Sequence, residues 1–345
     1  MCRFGKIIIF WGTGFTPNPQ MVMILRMAFK VKILVLFLMA FMPSSYGAIP
    51  ELHNNNSILK SDGLATPLLV GGQYDYLGNF NSVLVFSTVD VKLSGRCSGT
   101  KVAKNLVLTA AHCFMEELSE GKETVIQRNV AINKIFYSFS PLVLSAWQVQ
   151  EISVNRVIFH PELEHCFSKS QRTSPKCVER YPDLAIVELE HNEDFEKEQS
   201  ISVDFNLVNE SDPIVMVGYG AQANHDQSPP VRKFHRSKVV SVETLAENHG
   251  GVSPKELKIY KELYFGTFGL LLGENYANLG AGDSGGPVFR EVSGNIKLVG
   301  VNSFSYCQNE ETECEVTSNS YFARVHSGSS HRLGEWLSGL LDRVL

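Results

Sequence analysis

Three residues far apart in the chain carry the side chains of a nucleophilic acyl-transfer site. His112 stands in Thr109-Ala110-Ala111-His112-Cys113, Asp183 in Tyr181-Pro182-Asp183-Leu184, and Ser284 in Gly282-Asp283-Ser284-Gly285-Gly286-Pro287. A serine hydroxyl is a poor nucleophile at neutral pH, so a neutral imidazole must take its proton as it attacks. An imidazole, with an ordinary pKa of about 6.5, can accept that proton and later return it to a leaving amine. A carboxylate behind the ring would hold its tautomer and stabilise the imidazolium. Taken singly these runs say little, because Gly-Asp-Ser-Gly also makes ordinary turns and a histidine after two alanines is commonly a packing residue. Their occurrence together, in the order His, Asp, Ser, is what points to this chemistry.

Other segments fit the same arrangement. Cys97 lies fifteen residues before His112 and Cys113 follows it directly; Val157-Ile158-Phe159-His160-Pro161 precedes Asp183; Lys297-Leu298-Val299-Gly300-Val301-Asn302-Ser303-Phe304 follows Ser284. With these features the chain resembles the trypsin/chymotrypsin-like serine peptidases, from about Leu69 to the C-terminus. The resemblance implies an all-β fold of two antiparallel six-stranded barrels with a C-terminal helix. His112 and Asp183 would come from the first barrel and Ser284 from the second. It further implies an oxyanion hole built by the backbone N–H groups of Gly282 and Ser284, and a Ser303 that touches Asp183. Protein or peptide substrates are expected, and no cofactor.

The chain has seven cysteines. Cys2 would leave with a leader, and the pairing of the other six is open on sequence alone. The resemblance assigns Cys97–Cys113, which leaves Cys166–Cys177 and Cys307–Cys314 as local pairs. No Cys-x-x-Cys or paired-histidine pattern accompanies them, so no metal is expected. One departure concerns the substrate pocket: Gly280 replaces the cysteine usual four residues before the nucleophile, and Cys314, its usual partner, is therefore assigned to Cys307. Asn278 falls at the floor of the S1 pocket and Ser305 and Ser320 at its walls. A neutral amide at the floor leaves a buried cation without a counter-charge, so an uncharged P1 side chain is expected.

At 345 residues the chain is long enough for a large core. Its net charge of −5 includes five basic residues and no acid within residues 1–48, so a processed protein would carry −10. That balance argues against a nucleic-acid partner. Arg26, Lys30 and Lys32 precede an apolar run over 33–42, followed by Pro43, Ser44, Ser45, Gly47 and Ala48. This reads as a secretion signal, residues 1–47, with Met21 or Met27 as alternative starts. The run is too short to span a bilayer, so a secreted protein, extracellular or periplasmic, without a stable membrane anchor is expected. Residues 48–68 read as a propeptide and 69–345 as the protease domain. Leu69-Val70-Gly71-Gly72 resembles the N-terminus that activation creates in this family, whose α-ammonium pairs with the aspartate beside the nucleophile, here Asp283. Leu68 stands before that junction instead of Arg or Lys. A zymogen opened by another protease is therefore expected.

Short apolar runs at 82–87, 106–109, 147–159, 184–189, 213–218, 298–304 and 321–325 read as strands, and 331–345 as an amphipathic helix. The long His112–Asp183 spacing places surface insertions at 114–141 and 162–182. Glu116, Glu117, Glu120 and Glu123 read as a solvated acidic face. The alternative function is a catalytically silent binding module on the same scaffold. Such modules lose a triad member or the oxyanion glycine, and here all are present.

Overall fold

The computed structural model describes residues 72–343 except 91, 94, 121–122, 130–131, 168–170, 221–228, 250–253, 271–278, 308–316 and 327–331. Its strands are β1 (Gln73–Tyr74), β2 (Val83–Ser87), β3 (Cys97–Ala103), β4 (Leu106–Thr109), β5 (Met115–Glu120), β6 (Glu123–Arg128), β7 (Lys134–Ser138), β8 (Gln150–Phe159), β9 (Arg172–Thr173) and β10 (Ala185–Leu189). They continue with β11 (Pro213–Gly218), β12 (Lys233–Lys238), β13 (Tyr264–Leu270), β14 (Pro287–Val292), β15 (Asn295–Cys307) and β16 (Thr317–Arg324). The order β10-β4-β3-β2-β7-β8 closes into a six-stranded barrel. A second, seven-stranded antiparallel sheet runs β1-β12-β11-β14-β15-β16-β13. A single bridge, Val240 to Gly266, brings β13 back to the segment after β12, so this sheet also curls on itself. The expected sixfold count is exceeded here by β1, a two-residue strand that the N-terminal segment adds to the edge beside β12.

Alternation along the strands explains why two barrels form and why they stay together. Successive side chains of a strand point to opposite faces. In β2, Leu84 and Phe86 join Val107, Ile135, Tyr137, Ile152, Ala185 and Val187 inside the first barrel. Val83 and Val85, between them, pack with Leu106, Leu108 and Ile186 and with Val215, Val217, Phe289, Leu298 and Val301 of the second sheet. Ile214, Met216, Val288, Val299 and Phe322 fill the interior of that second sheet. The apolar strands are therefore buried on both faces, one inside a barrel and one in the seam between sheets. The helix Leu333–Leu341 closes the chain, burying Leu333, Leu337, Leu340 and Leu341 in the seam at helical spacing.

The inserted stretches are ordered more than a surface excursion requires. Residues 115–128 form a hairpin that β9 extends to a three-stranded sheet, while β7 belongs to the first barrel. The Cys166–Cys177 disulfide ties the two short helices Pro161–Cys166 and Pro175–Val178 that frame β9. Cys97–Cys113 joins β3 to the turn that carries His112. Cys314 lies outside the described residues, as do Leu69 and Asn278 and the leader and propeptide segments.

Candidate active site

Strand pairing brings His112 and Asp183 together. β10 runs antiparallel to β4, with Ala185 opposite Thr109. The residues just before β10 must then meet those just after β4. After Thr109 the chain enters a 3-10 turn, Ala111–Phe114, whose Ala111 and Phe114 are buried. This leaves His112 pointing outward over the barrel rim. The Asp183 Oδ1 accepts the His112 backbone N–H at 2.9 Å, and Oδ2 lies 2.7 Å from the His112 Nδ1. Ser303 Oγ donates to the same Oδ2 at 2.5 Å. Ser303 reaches it because the β15–β16 register slips between Asn302 and Phe304, a bulge that re-aims one side chain.

The electrostatics follow from these contacts. Burial alone would depress the His112 pKa, but the charge of Asp183 and its hydrogen bond outweigh burial and raise it. The imidazole remains 42% exposed, so it is the Nδ1 edge that is enclosed and the far edge that is open. Burial would raise Asp183; the His112 charge, the His112 and Ser303 hydrogen bonds and the His112 backbone N–H hold it below the usual carboxylate range. Behind this pair sits buried Tyr264 of β13, its phenol beside Ser303 and the Asp183 backbone. Its phenol is pushed well above its ordinary value by burial and by the Asp183 charge.

Ser284 is held on a loop that the second sheet presses against the first barrel. Ser98 of β3 donates its N–H to the Ser284 carbonyl at 2.8 Å and its Oγ to the Gly282 carbonyl at 2.8 Å. Cys113 Sγ lies 3.9 Å from the same Ser284 carbonyl, so the loop abuts the turn that carries His112. Asn302 braces the other side: its Nδ2 donates to the Val217 and Asp283 carbonyls, and its backbone exchanges hydrogen bonds with Gly285 and Gly286. Two glycines make the loop possible. Gly285 has φ +83°, and a Cβ there would lie 1.9 Å from Thr109 Oγ1. Gly282 has φ +99°, where an L side chain is strained. Ser284 itself is half-buried, and among the described residues no hydrogen bond joins its Oγ to His112.

The model for the trypsin family matches residues 70–326. The chain belongs to the trypsin family. A relative within it, the CLIP domain-containing serine protease C9 of Anopheles gambiae, is 24% identical over 247 residues, which cover 67% of this chain and 57% of that protein. The chain thus spans a little over half the length of that relative.

Against this trypsin-family frame, His112, Asp183 and Ser303 are joined by hydrogen bonds and Ser284 lies on the adjoining loop. Ser305 and Ser320 sit opposite one another on β15 and β16. Ser305 is exposed, whereas Ser320 is buried and its Oγ accepts the Leu279 N–H at 3.2 Å, so that hydroxyl is engaged by backbone. Sequence reasoning missed Tyr264, Ser98 and Asn302. Each acts through a strand neighbour set by register, and no local motif marks it. Cys97, His112 and Cys113 cluster closely, but the disulfide occupies both sulfurs, which leaves that cluster without the ligands for a metal.

Proposed function

We propose that this protein is a secreted serine endopeptidase that cleaves peptide bonds through an acyl-enzyme, with His112, Asp183 and Ser284 as its triad. The observation that carries the reading is the hydrogen-bonded set Ser303–Asp183–His112 beside the Gly282–Ser284 turn. Ser284 Oγ attacks the scissile carbonyl while its proton passes to His112 Nε2. The carbonyl oxygen becomes an oxyanion facing the N–H groups of Gly282 and Ser284. On collapse, His112 gives that proton to the departing amine and an ester to Ser284 remains. Water then repeats the sequence, losing a proton to His112, and releases the acid. Catalytic hydrogen bonds of an empty site are commonly long and tighten when substrate arrives, which accommodates the absent Ser284–His112 bond.

Disulfides at Cys97–Cys113 and Cys166–Cys177 fit an oxidising, extracellular setting. Among the described residues no helix is long and apolar enough to cross a membrane. The neutral Asn278 and the paired Ser305 and Ser320 support a preference for an uncharged P1 residue, which cleavage of a peptide library tests; strong selection of Arg or Lys overturns it.

The experiment that tests the reaction is covalent labelling by a fluorophosphonate. Wild type should label and Ser284→Ala should not; a folded, N-terminally processed wild type that stays unlabelled would instead favour the silent binding module. Tyr264→Phe should lower kcat about tenfold with KM unchanged, the cost of removing a buried hydroxyl that lies beside the charged pair and not beside bound substrate. An unaltered kcat would reduce Tyr264 to packing.

A further inference from the structure

Away from the triad, one exposed loop carries residues of a different chemistry. Residues 204–212 run from buried Asp204, whose N–H donates to the Leu298 carbonyl, to Pro213, where β11 begins. Arg290 of β14 clamps this loop. Its Nη2 donates to Asp204 Oδ2 at 2.6 Å, and its Nη1 to the Leu207 carbonyl and to Asp212 Oδ2, both at 3.1 Å. The tip is Asn209-Glu210-Ser211, all three exposed. Asp212 N–H donates to the Asn209 carbonyl at 3.1 Å, and Ser211, third residue of the turn so closed, takes φ +70°. The Asn209 N–H donates to Asp212 Oδ2 at 2.9 Å and the Ser211 N–H to the Val239 carbonyl at 2.8 Å. The backbone of the tip is thus fixed. Its side chains are not used: among the described residues neither the Asn209 carboxamide nor the Ser211 hydroxyl makes a hydrogen bond.

An asparagine followed two residues on by serine, with a residue other than proline between, is the acceptor triplet for an N-linked oligosaccharide. A glycan is bulky and hydrophilic, so a folded chain keeps it only on the surface, on a side chain that the fold does not need. Asn209 meets both conditions. The chain has two such triplets, and the other, Asn55-Asn56-Ser57, lies outside the described residues. The placement of Asn209 also leaves the substrate cleft clear. β11 runs antiparallel to β14, whose first residue, Pro287, follows the Ser284 loop directly. Asn209 precedes the opposite end of β11, so roughly 20 Å of strand separates it from that loop. A glycan there would stand two residues from Leu207, which is 54% exposed, and cover apolar surface that the protein alone leaves in water.

We propose that Asn209 is an N-glycosylation site, modified as the chain passes through a secretory lumen. The co-reactant is a lipid-linked oligosaccharide diphosphate, supplied there with its transferase. The Asn209 Nδ2 attacks the anomeric carbon of that donor. The N–C bond forms as the C–O bond to the diphosphate breaks, the lipid diphosphate leaves, and the amide gives up one proton. The inference rests on the secreted reading of this protein, and the test separates the two.

The full chain is produced in cultured eukaryotic cells in two forms, one with its own leader and one with a proven secretion signal fused ahead of Met1. Protein from each is deglycosylated by peptide N-glycosidase in heavy-oxygen water, and the peptide that contains Asn209 is read by mass spectrometry. Residue 209 should appear as aspartate carrying heavy oxygen in both forms. Secreted protein with Asn209 unchanged overturns the inference and leaves secretion intact. An own-leader form held in the cytosol, beside a fused form modified at Asn209, sinks the secretion reading and upholds the acceptor. Ser211→Ala should abolish the modification although Asn209 remains, because the hydroxyl is what the transferase requires two residues on. A glycan on Asn209 that survives this change would overturn the assignment.

Discussion

Asp183→Asn should lower kcat by about 10⁴ while leaving KM within about threefold. The carboxylate makes two bonds to the same residue, one to the His112 backbone N–H and one to the ring Nδ1. An asparagine can keep the backbone bond through its carbonyl oxygen, so the turn should hold its shape. Its amide NH₂ would then face Nδ1, which can accept that donor only by moving its own proton to Nε2. The nitrogen that must receive the Ser284 proton would already carry one. Ground-state contacts to substrate are untouched, which is why the loss falls on kcat. Steady-state kinetics on folded variant protein checks this, and a deficit below about tenfold would show that Asp183 does not set the tautomer.

The same variant has a signature in pH. His112 must be neutral to act as base, so activity rises with pH through a midpoint above the ordinary histidine value, because Asp183 raises it against the opposing effect of burial. Removing the carboxylate charge leaves burial unopposed, and the midpoint should move down. The linkage to stability runs in matching directions. The raised histidine contributes stability that is complete below its unfolded pKa and is lost as pH climbs through the folded one. The depressed Asp183 contributes stability above its unfolded pKa that is lost as pH falls through its folded one. The pair is thus most stabilising between the two unfolded values, and its contribution falls away on either side toward the folded ones.

Much of this site could be read from the chain because its parts have local signatures. His112 and Ser284 sit in runs whose small residues have a steric reason: Ala111 is buried against the barrel, and Gly285 lies where a Cβ would strike Thr109. Short apolar runs predicted strands at 82–87, 106–109 and 184–189, and these became β2, β4 and β10 nearly in place. What escaped was whatever depends on register between distant strands. Tyr264 reaches Ser303 through β13 pairing with β16 and β16 pairing with β15, a route of two ladders that leaves no trace in spacing. Lys233 reads in the sequence as an ordinary charge between Arg232 and Phe234, yet it is buried and its Nζ donates to the Gly220 carbonyl. The single-turn helix near Trp147 also escaped, since residues 147–159 read as one continuous strand and β8 begins only at Gln150. Its three residues are too few to show a helical period.

Arg232→Met should cost about 3–5 kcal/mol of folding stability, the usual loss when one member of a buried ion pair is removed. Arg232 and Asp75 are both completely buried, with Nε 2.8 Å from Oδ2. The guanidinium does more than neutralise one carboxylate. Its Nη1 also donates to the carbonyls of Val83 and Phe139 and to the Tyr219 hydroxyl, so its removal strands a charge and leaves three acceptors short of a donor. These groups belong to the N-terminal segment, the first barrel and the second sheet, and Arg232 is where the three are pinned together. A thermal melt should show the midpoint about 10 °C lower, given the usual few degrees per kcal/mol for a domain of this size. Asp75→Asn should cost less, because its amide oxygen, placed where Oδ2 now lies, can still accept from the Phe80 backbone N–H and from Arg232 Nε, and only the bonds from Asn79 are lost. Equal losses for the two variants would mean that the charge of Asp75, and not the carbonyls left by Arg232, dominates; a loss under about 1 kcal/mol for Arg232→Met would remove the pair from the account of how the two sheets are held.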